Sequence, residues 1–281
     1  MDGKAIGVAL GGGGVRGLAH IPLLEVMDSR GLRPAAIAGT SMGAVIGALY
    51  ASGQSGSEIR AGIEKHIVTG EDGFRDILGK TPTLLRWLKA VRLDMGRGGF
   101  LRADGFLKYL LTGLEATRFE ELSIPLSVVA TDFWSGEQVV FSSGELLPAI
   151  RASMAIPGIF APVVADRRVL VDGGIANNVP YELLMDRCDC TIAVDVAPTR
   201  TAHGCEIPGV VDAVLGMFDM LVEKVTEGKR RHGPPTIYIK PELVGVRVLD
   251  FDKIEDVFRQ AGEAIPRLEA ELDRHCGRRN P

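Results

Sequence analysis

Hydrophobic residues along this chain come in short blocks that alternate with longer amphipathic stretches. The first block, Ala5-Ile6-Gly7-Val8-Ala9-Leu10, runs straight into glycines, which suits a short strand buried on both faces. Residues 18–27 then place Ile21, Leu23, Leu24 and Met27 at helical spacing. A second apolar block, Ala35-Ala36-Ile37-Ala38, leads through Gly39-Thr40-Ser41-Met42-Gly43 into a small-residue helix over 44–51. Two strand–turn–helix units in succession point to a layered α/β fold. The rhythm resumes with strands predicted at 125–131, 138–141, 169–171, 191–196 and 236–240. Helices are predicted at 146–155, 181–185, 210–227 and 251–275, the last with a break near Pro266. With no internal repeat and no low-complexity linker, the pattern predicts one domain over 1–281. Its core spans about 5–200, and an α/β extension follows from about 201.

Residues 67–112 interrupt the alternation. Within them Leu84, Leu85, Leu88 and Val91 share a helical face, while Arg86, Lys89 and Arg92 stand elsewhere and Trp87 lies near the boundary. This arrangement fits a peripheral membrane contact or active-site lid through about 84–97, and equally a basic surface helix packed on the core.

Composition narrows the field. Of 281 residues, 46% are hydrophobic and 24% charged, ordinary globular usage that excludes disordered and fibrous classes. The net charge of −4 argues against nucleic acid as a partner, since such binders carry a basic field. Four cysteines, Cys188, Cys190, Cys205 and Cys276, are too few and too late for a disulfide framework, and their spacing does not match a zinc knuckle. They are expected as free thiols. No secretory leader pattern and no run of 18 apolar residues is present, so the expected location is cytoplasmic, with any membrane contact peripheral. The oligomeric state is not legible.

Three motifs carry chemistry. Gly39-Thr40-Ser41-Met42-Gly43 is a G-x-S-x-G pentapeptide between a predicted strand and a predicted helix. A serine on such an elbow projects its hydroxyl at the strand's carboxyl end, and the helix that follows aims its positive end at developing negative charge. Gly12-Gly13-Gly14-Val15-Arg16-Gly17 follows the first strand. It lacks the acidic residue of a dinucleotide site and the Gly-Lys-Ser/Thr of a P-loop, whereas consecutive glycines present backbone N–H groups to an oxyanion. Arg16 is expected to orient this loop or add positive potential. Asp172-Gly173-Gly174 follows the apolar strand Val169-Leu170-Val171, at the rim where α/β folds place ligands. No histidine stands in a setting that invites a triad, and His20 reads as structural. Asp172 is therefore the leading base for Ser41, provided that burial raises its pKa toward neutrality.

Taken together and in this order, these motifs resemble the patatin-like phospholipase family. Flanking stretches add to the likeness: Gly17-Leu18-Ala19-His20, Ala130-Thr131-Asp132, residues 151–158 and residues 175–180. The resemblance implies a three-layer α/β/α sandwich with a mainly parallel central sheet. It implies Ser41 as nucleophile and Asp172 as base in a Ser-Asp dyad. It also implies an oxyanion hole at Gly12, Gly13 and Gly14 with Arg16 and Gly17, an elbow framed by Gly39 and Gly43, and a base motif completed by Gly173 and Gly174. The implied activity is hydrolysis of phospholipid or another acyl ester, without metal or cofactor. An acyltransferase using the same dyad, or an idle lipid sensor, are the alternatives.

Overall fold

The computed structural model describes residues 4–65, 107, 110–201 and 207–276. The 84–97 segment, His66, His203 and Cys205 lie outside the described residues. Among the described residues the strands are β1 (Ile6–Leu10), β2 (Ala36–Thr40), β3 (Leu126–Asp132), β4 (Gln138–Phe141), β5 (Val163–Ala165), β6 (Arg168–Asp172), β7 (Cys190–Val194) and β8 (Ile237–Ile239). They form one sheet in the order β5-β6-β3-β2-β1-β7-β8, with β4 also paired to β3. Strands β3, β2, β1, β7 and β8 are mutually parallel. Strands β4 and β6 join β3 antiparallel, and β5 joins β6 antiparallel.

The described helices are α1 (His20–Ser29), α2 (Met42–Ala51), α3 (Gly56–Ile63), α4 (Leu146–Ser153), α5 (Gly174–Asn177), α6 (Glu182–Met185), α7 (Val210–His232), α8 (Ile254–Gly262) and α9 (Ile265–His275). Side chains alternate along a strand, so the two sheet faces differ. Val8, Leu10, Ile37, Ile192 and Val194 enter one large buried cluster with residues of α1 and α2. Ala9, Ala38 and Ala193 face the other way, where Val179, Tyr181 and Leu184 cover them. Alanines on that second face let α6 approach closely. The result is the expected helix–sheet–helix layering. Every residue of α2 is buried, which explains why its sequence is small and apolar all round rather than amphipathic.

Several elements differ from the sequence expectation, among them the short helix α5, which carries no period of its own. Helix α3 is built on a capping box, with Ser55 and Glu58 each satisfying the other's backbone N–H, a short-range polar signal inside a polar stretch. The three-residue β5 is too short to carry a period. The segment 251–275 divides into a 3₁₀ turn at Phe251–Lys253, then α8, then α9. Pro266 lies in the first turn of α9, where a missing N–H costs nothing, so it starts a helix rather than breaking one.

Candidate active site

Strand β2 ends at Thr40, and the chain turns into α2 through Ser41, whose φ of 53° and ψ of −124° lie where a non-glycine residue is strained. The turn closes only because its flanks are glycine. A Cβ on Gly39 would lie 2.6 Å from Gly43 O, and one on Gly43 would lie 2.0 Å from Leu10 O. The sequence therefore folds here into a sharp strand-to-helix elbow with the serine at its apex.

Leaving the sheet at Ser41 vacates an edge of β3. The amide of Asp132 donates to Glu137 O on the β4 side, and that of Phe133 donates to Val169 O on the β6 side. Ile37 donates to Pro125 O. By the alternation of backbone groups along a strand, β2 and β6 thus share one edge of β3. Strand β2 runs beside residues 126–129 and departs, and β6 takes over beside 130–132. Thr40 lies opposite Val129 and Asp172 opposite Ala130. The elbow creates the gap, and the antiparallel strand that fills it delivers Asp172 next to Ser41.

Ser153, at the end of α4, bridges the split. Its Oγ accepts from the Ser41 amide at 2.8 Å and donates to Val129 O at 2.6 Å. These are backbone groups that the sheet leaves unpaired where β2 turns away. Asp172 is fixed as firmly. Its amide donates to Ala155 O, its carbonyl accepts from Thr131 Oγ1 at 2.9 Å, and its Oδ1 accepts from the Gly174 amide at 2.8 Å. Gly173 has to be glycine, since a Cβ there would lie 2.3 Å from Val129 O.

Asp172 is buried, and burial raises its pKa to about 6, with the Ser41 hydroxyl and the Gly174 amide pulling the other way. Oδ2 has no partner in hydrogen-bond geometry. Ser41 is near enough to favour the carboxylate without closing an ideal bond to it, a looseness common in sites without substrate. The carboxylate is thus mostly ionised at pH 7, yet far more basic than a surface aspartate.

The glycine loop is pinned on both sides. The Gly12 amide lies 3.2 Å from Asn178 Oδ1 and 3.3 Å from Asn178 O, and Asn178 Nδ2 donates back to Gly12 O. Val15 donates to Val248 O. Among the described residues the amides of Gly13 and Gly14 have no hydrogen-bond partner, whereas the Gly12 amide is engaged by Asn178. Gly14 has φ +59°, and a Cβ there would lie 2.2 Å from Val248 O. His20 is fully buried, with Nε2 at 2.7 Å from Gly11 O and a pKa lowered by burial to about 4. It is neutral and supports the loop from behind, as its sequence setting suggests.

Ser41, Asp172, Gly12, Gly13, Gly14 and Asn178 line one cavity of about 20 Å³, roofed by Leu215, Phe218, Asp219 and Val222 of α7. Arg16 and Gly17 stand behind that wall. The guanidinium of Arg16 forms a two-point pair with Asp219, at 2.7 and 3.0 Å, and also donates to Val246 O. Gly17 lets the turn pack on α2, since a Cβ there would lie 2.5 Å from the Met42 side chain. Ser153 and Asn178 stand outside the three motifs, and their signal in the sequence was that they fall in the flanking stretches 151–158 and 175–180. Among the described residues, no group of three or more His, Cys, Asp or Glu is placed to hold a metal, and no helix is long and apolar enough to cross a membrane.

The chain is similar in sequence and fold to known proteins. An uncharacterized NTE family protein of Mycobacterium tuberculosis is 36% identical over 204 residues, which cover 70% of this chain and 52% of that protein. The lysophospholipase NTE1 of Kluyveromyces lactis is 26% identical over 283 residues, 92% of this chain and 19% of that protein. The chain thus spans about half the length of the mycobacterial relative and about a fifth of the yeast one. The crystal structure of VipD from Legionella pneumophila superposes with a TM-score of 0.55 at 14% identity, covering 98% of this chain and 67% of that one. That likeness concerns the fold. The sequence profile described as patatin-like phospholipase matches residues 8–185, a span containing the elbow, the glycine loop, Ser153 and Asp172, and the chain belongs to the patatin-like phospholipase family.

Proposed function

We propose that the protein is a lipid acyl-ester hydrolase in which Ser41 is the nucleophile and Asp172 the base. The observation that carries this reading is the shared cavity. It joins a serine strained at an elbow, a buried carboxylate with an unpartnered oxygen and a pKa near 6, and two backbone amides without a partner among the described residues. In the first step Asp172 Oδ2 takes the proton of Ser41 Oγ as the oxygen attacks an ester carbonyl. The Gly13 and Gly14 amides and the amino end of α2 stabilise the oxyanion, each well-placed donor being worth roughly 3 kcal/mol of barrier. Collapse expels the alcohol, which takes the proton from Asp172, and leaves an acyl-Ser41 ester. Asp172 then deprotonates a water that attacks this ester, and the fatty acid departs as Ser41 regains its proton.

Family membership and the lysophospholipase named among the relatives favour glycerophospholipids and lysophospholipids as substrates. Ser41→Ala and Asp172→Asn are each expected to lower hydrolysis of a short-chain nitrophenyl ester by at least a thousandfold while leaving the folded spectrum unchanged. A fluorophosphonate probe should label the native protein and not Ser41→Ala. Native-like turnover in either folded variant overturns the assignment. Transfer of the acyl group to an added alcohol in preference to water makes the protein an acyltransferase instead.

A further inference from the structure

Helix α7 presents two contrasting faces. Toward the protein, Leu215, Phe218, Asp219 and Val222 roof the cavity of Ser41 and Asp172. Away from it, Val210, Val214, Met217, Leu221 and Val225 follow one another at spacings of four, three, four and four residues, so they form a single line along the helix. All five are exposed, from 46% at Val225 to 82% at Val210. A contiguous apolar stripe of this length marks an interaction surface.

The attachment of α7 is unusual for a helix of 23 residues. Among its described side chains only Val222 and Thr226 are buried. Ion pairs do much of the holding: Asp219 with Arg16, Lys229 with Glu182, Glu223 with Lys240 and Asp212 with Arg247. Val222 is the one buried apolar side chain among those described on α7, so a shift of the helix uncovers little apolar surface, and the four ion pairs exchange protein partners for water as they part. The cavity beneath it, about 20 Å³, has room for about one water. An ester carbonyl with its acyl chain does not fit until the roof shifts.

We propose that α7 is a movable roof that docks on lipid. Its outer stripe inserts among the acyl chains of a bilayer or micelle, and the displacement opens the Ser41–Asp172 cavity toward an ester in that same surface. This rests on the hydrolase reading above and deepens it, since the opening is coupled to the phase that holds the substrate. Two observations select lipid over a second copy of the chain. The stripe offers on the order of 500 Å², an ordinary size for a functional patch but short of the roughly 800 Å² per partner of a stable pair. Lys224 and Arg231 border its carboxyl-terminal half and share a single carboxylate, Glu227. An apolar stripe edged by excess positive charge is the makeup of a helix that lies in an anionic lipid interface. A second anchor stands at the same carboxyl end of the parallel strands. In the turn after β3, Phe133 and Trp134 stack edge to face with centroids 5.0 Å apart and are largely exposed, as aromatic side chains at headgroup level are.

The test compares the native chain with a Val214→Ser/Met217→Ser/Leu221→Ser variant and a Met217→Leu/Leu221→Met variant that keeps the stripe apolar. Each is sedimented with vesicles of equal parts phosphatidylcholine and phosphatidylglycerol, and assayed on those vesicles and on a monomeric nitrophenyl butyrate. The serine variant is expected to lose at least tenfold in vesicle binding and in fatty-acid release from vesicles, with butyrate turnover within twofold of native. The apolar variant should match the native chain in all three. Equal sedimentation of the native and serine forms, or none by the native form, overturns the proposal. So does a native dimer that the serine variant converts to monomer without a change in vesicle binding. Normal sedimentation by a native protein that hydrolyses neither substrate leaves docking standing and sinks the hydrolase reading instead. A melting curve for each variant separates these outcomes from unfolding.

Discussion

At the residue scale, burial of Asp172, on the proposed dyad reading, links catalysis to stability in opposite senses. Its folded pKa of about 6 lies above the ordinary aspartate value of 3.8, so the native state holds this proton more tightly than the unfolded chain. The fold therefore bears no charge penalty below about pH 4. The penalty grows as pH rises through the interval and is complete above about pH 6, where it amounts to about 3 kcal/mol. Asp172→Asn should accordingly raise the melting temperature at pH 8 and leave it nearly unchanged at pH 4, while abolishing turnover at both. The base must be ionised to act, so kcat/KM of the native enzyme on a soluble ester should fall about tenfold per pH unit below 6 and level off above it. A pH profile with a midpoint near 4 would mean that Asp172 is not the group being titrated. Ser153 gives a second test at this scale. Ser153→Ala leaves the Ser41 amide and Val129 O without their bridge, at about 1–3 kcal/mol for each buried group left unpaired. If Ser41 is the nucleophile, Ser153 positions it without exchanging protons, so kcat should drop roughly ten- to a hundredfold with KM and the pH midpoint unmoved.

At the element scale, the glycines that shape the elbow and those that merely occupy a helix should respond in opposite directions. Gly43→Ala drives a Cβ to 2.0 Å from Leu10 O, a contact between two backbones that neither can relieve, so the variant should fail to fold or lose several kcal/mol by denaturant unfolding. Gly62 in α3 has nothing within 4 Å of a built Cβ, and Gly62→Ala should stabilise by about 0.5–1 kcal/mol. This contrast also shows what was legible beforehand. The elbow was readable because its pentapeptide sits between an apolar block and a small-residue helix, each a local signal. Strands β1, β2, β3 and β7 were readable because both their faces are buried and their sequences are predominantly apolar. Strand β5 was not, since three residues at a sheet margin carry no period. Helix α3 was missed because its evidence is a cap rather than a stripe. The distribution of roles within the glycine loop was not legible either. That Gly12 spends its amide on Asn178, and that Arg16 faces away from the cavity, depend on residues more than 150 positions distant in the chain.

At the scale of the whole molecule, the residues after 200 complete the site. Strand β8 extends the sheet beyond β7, α8 packs against Gly14–Ala19 behind the glycine loop, and α7 roofs the cavity. Among the contacts that tie this last third to the first is the pair of Arg16, with only 2% of its side chain accessible, and Asp219 of α7, 16% accessible. Two buried charges held by two parallel hydrogen bonds roughly offset the cost of their desolvation, so the pair contributes little net stability while both members are present. Removing one alone is different. Asp219→Ala leaves the Arg16 cation enclosed, with Nε already lacking a partner, and should cost about 3–5 kcal/mol in denaturant unfolding. Replacing both partners by apolar residues of similar volume, as in Arg16→Met/Asp219→Leu, should recover most of that loss. A double variant as unstable as the single one would mean that the guanidinium contributes through Val246 O and its packing rather than through Asp219. In that case the link between the glycine loop and the roof would run through the segment before α8 instead of through α7.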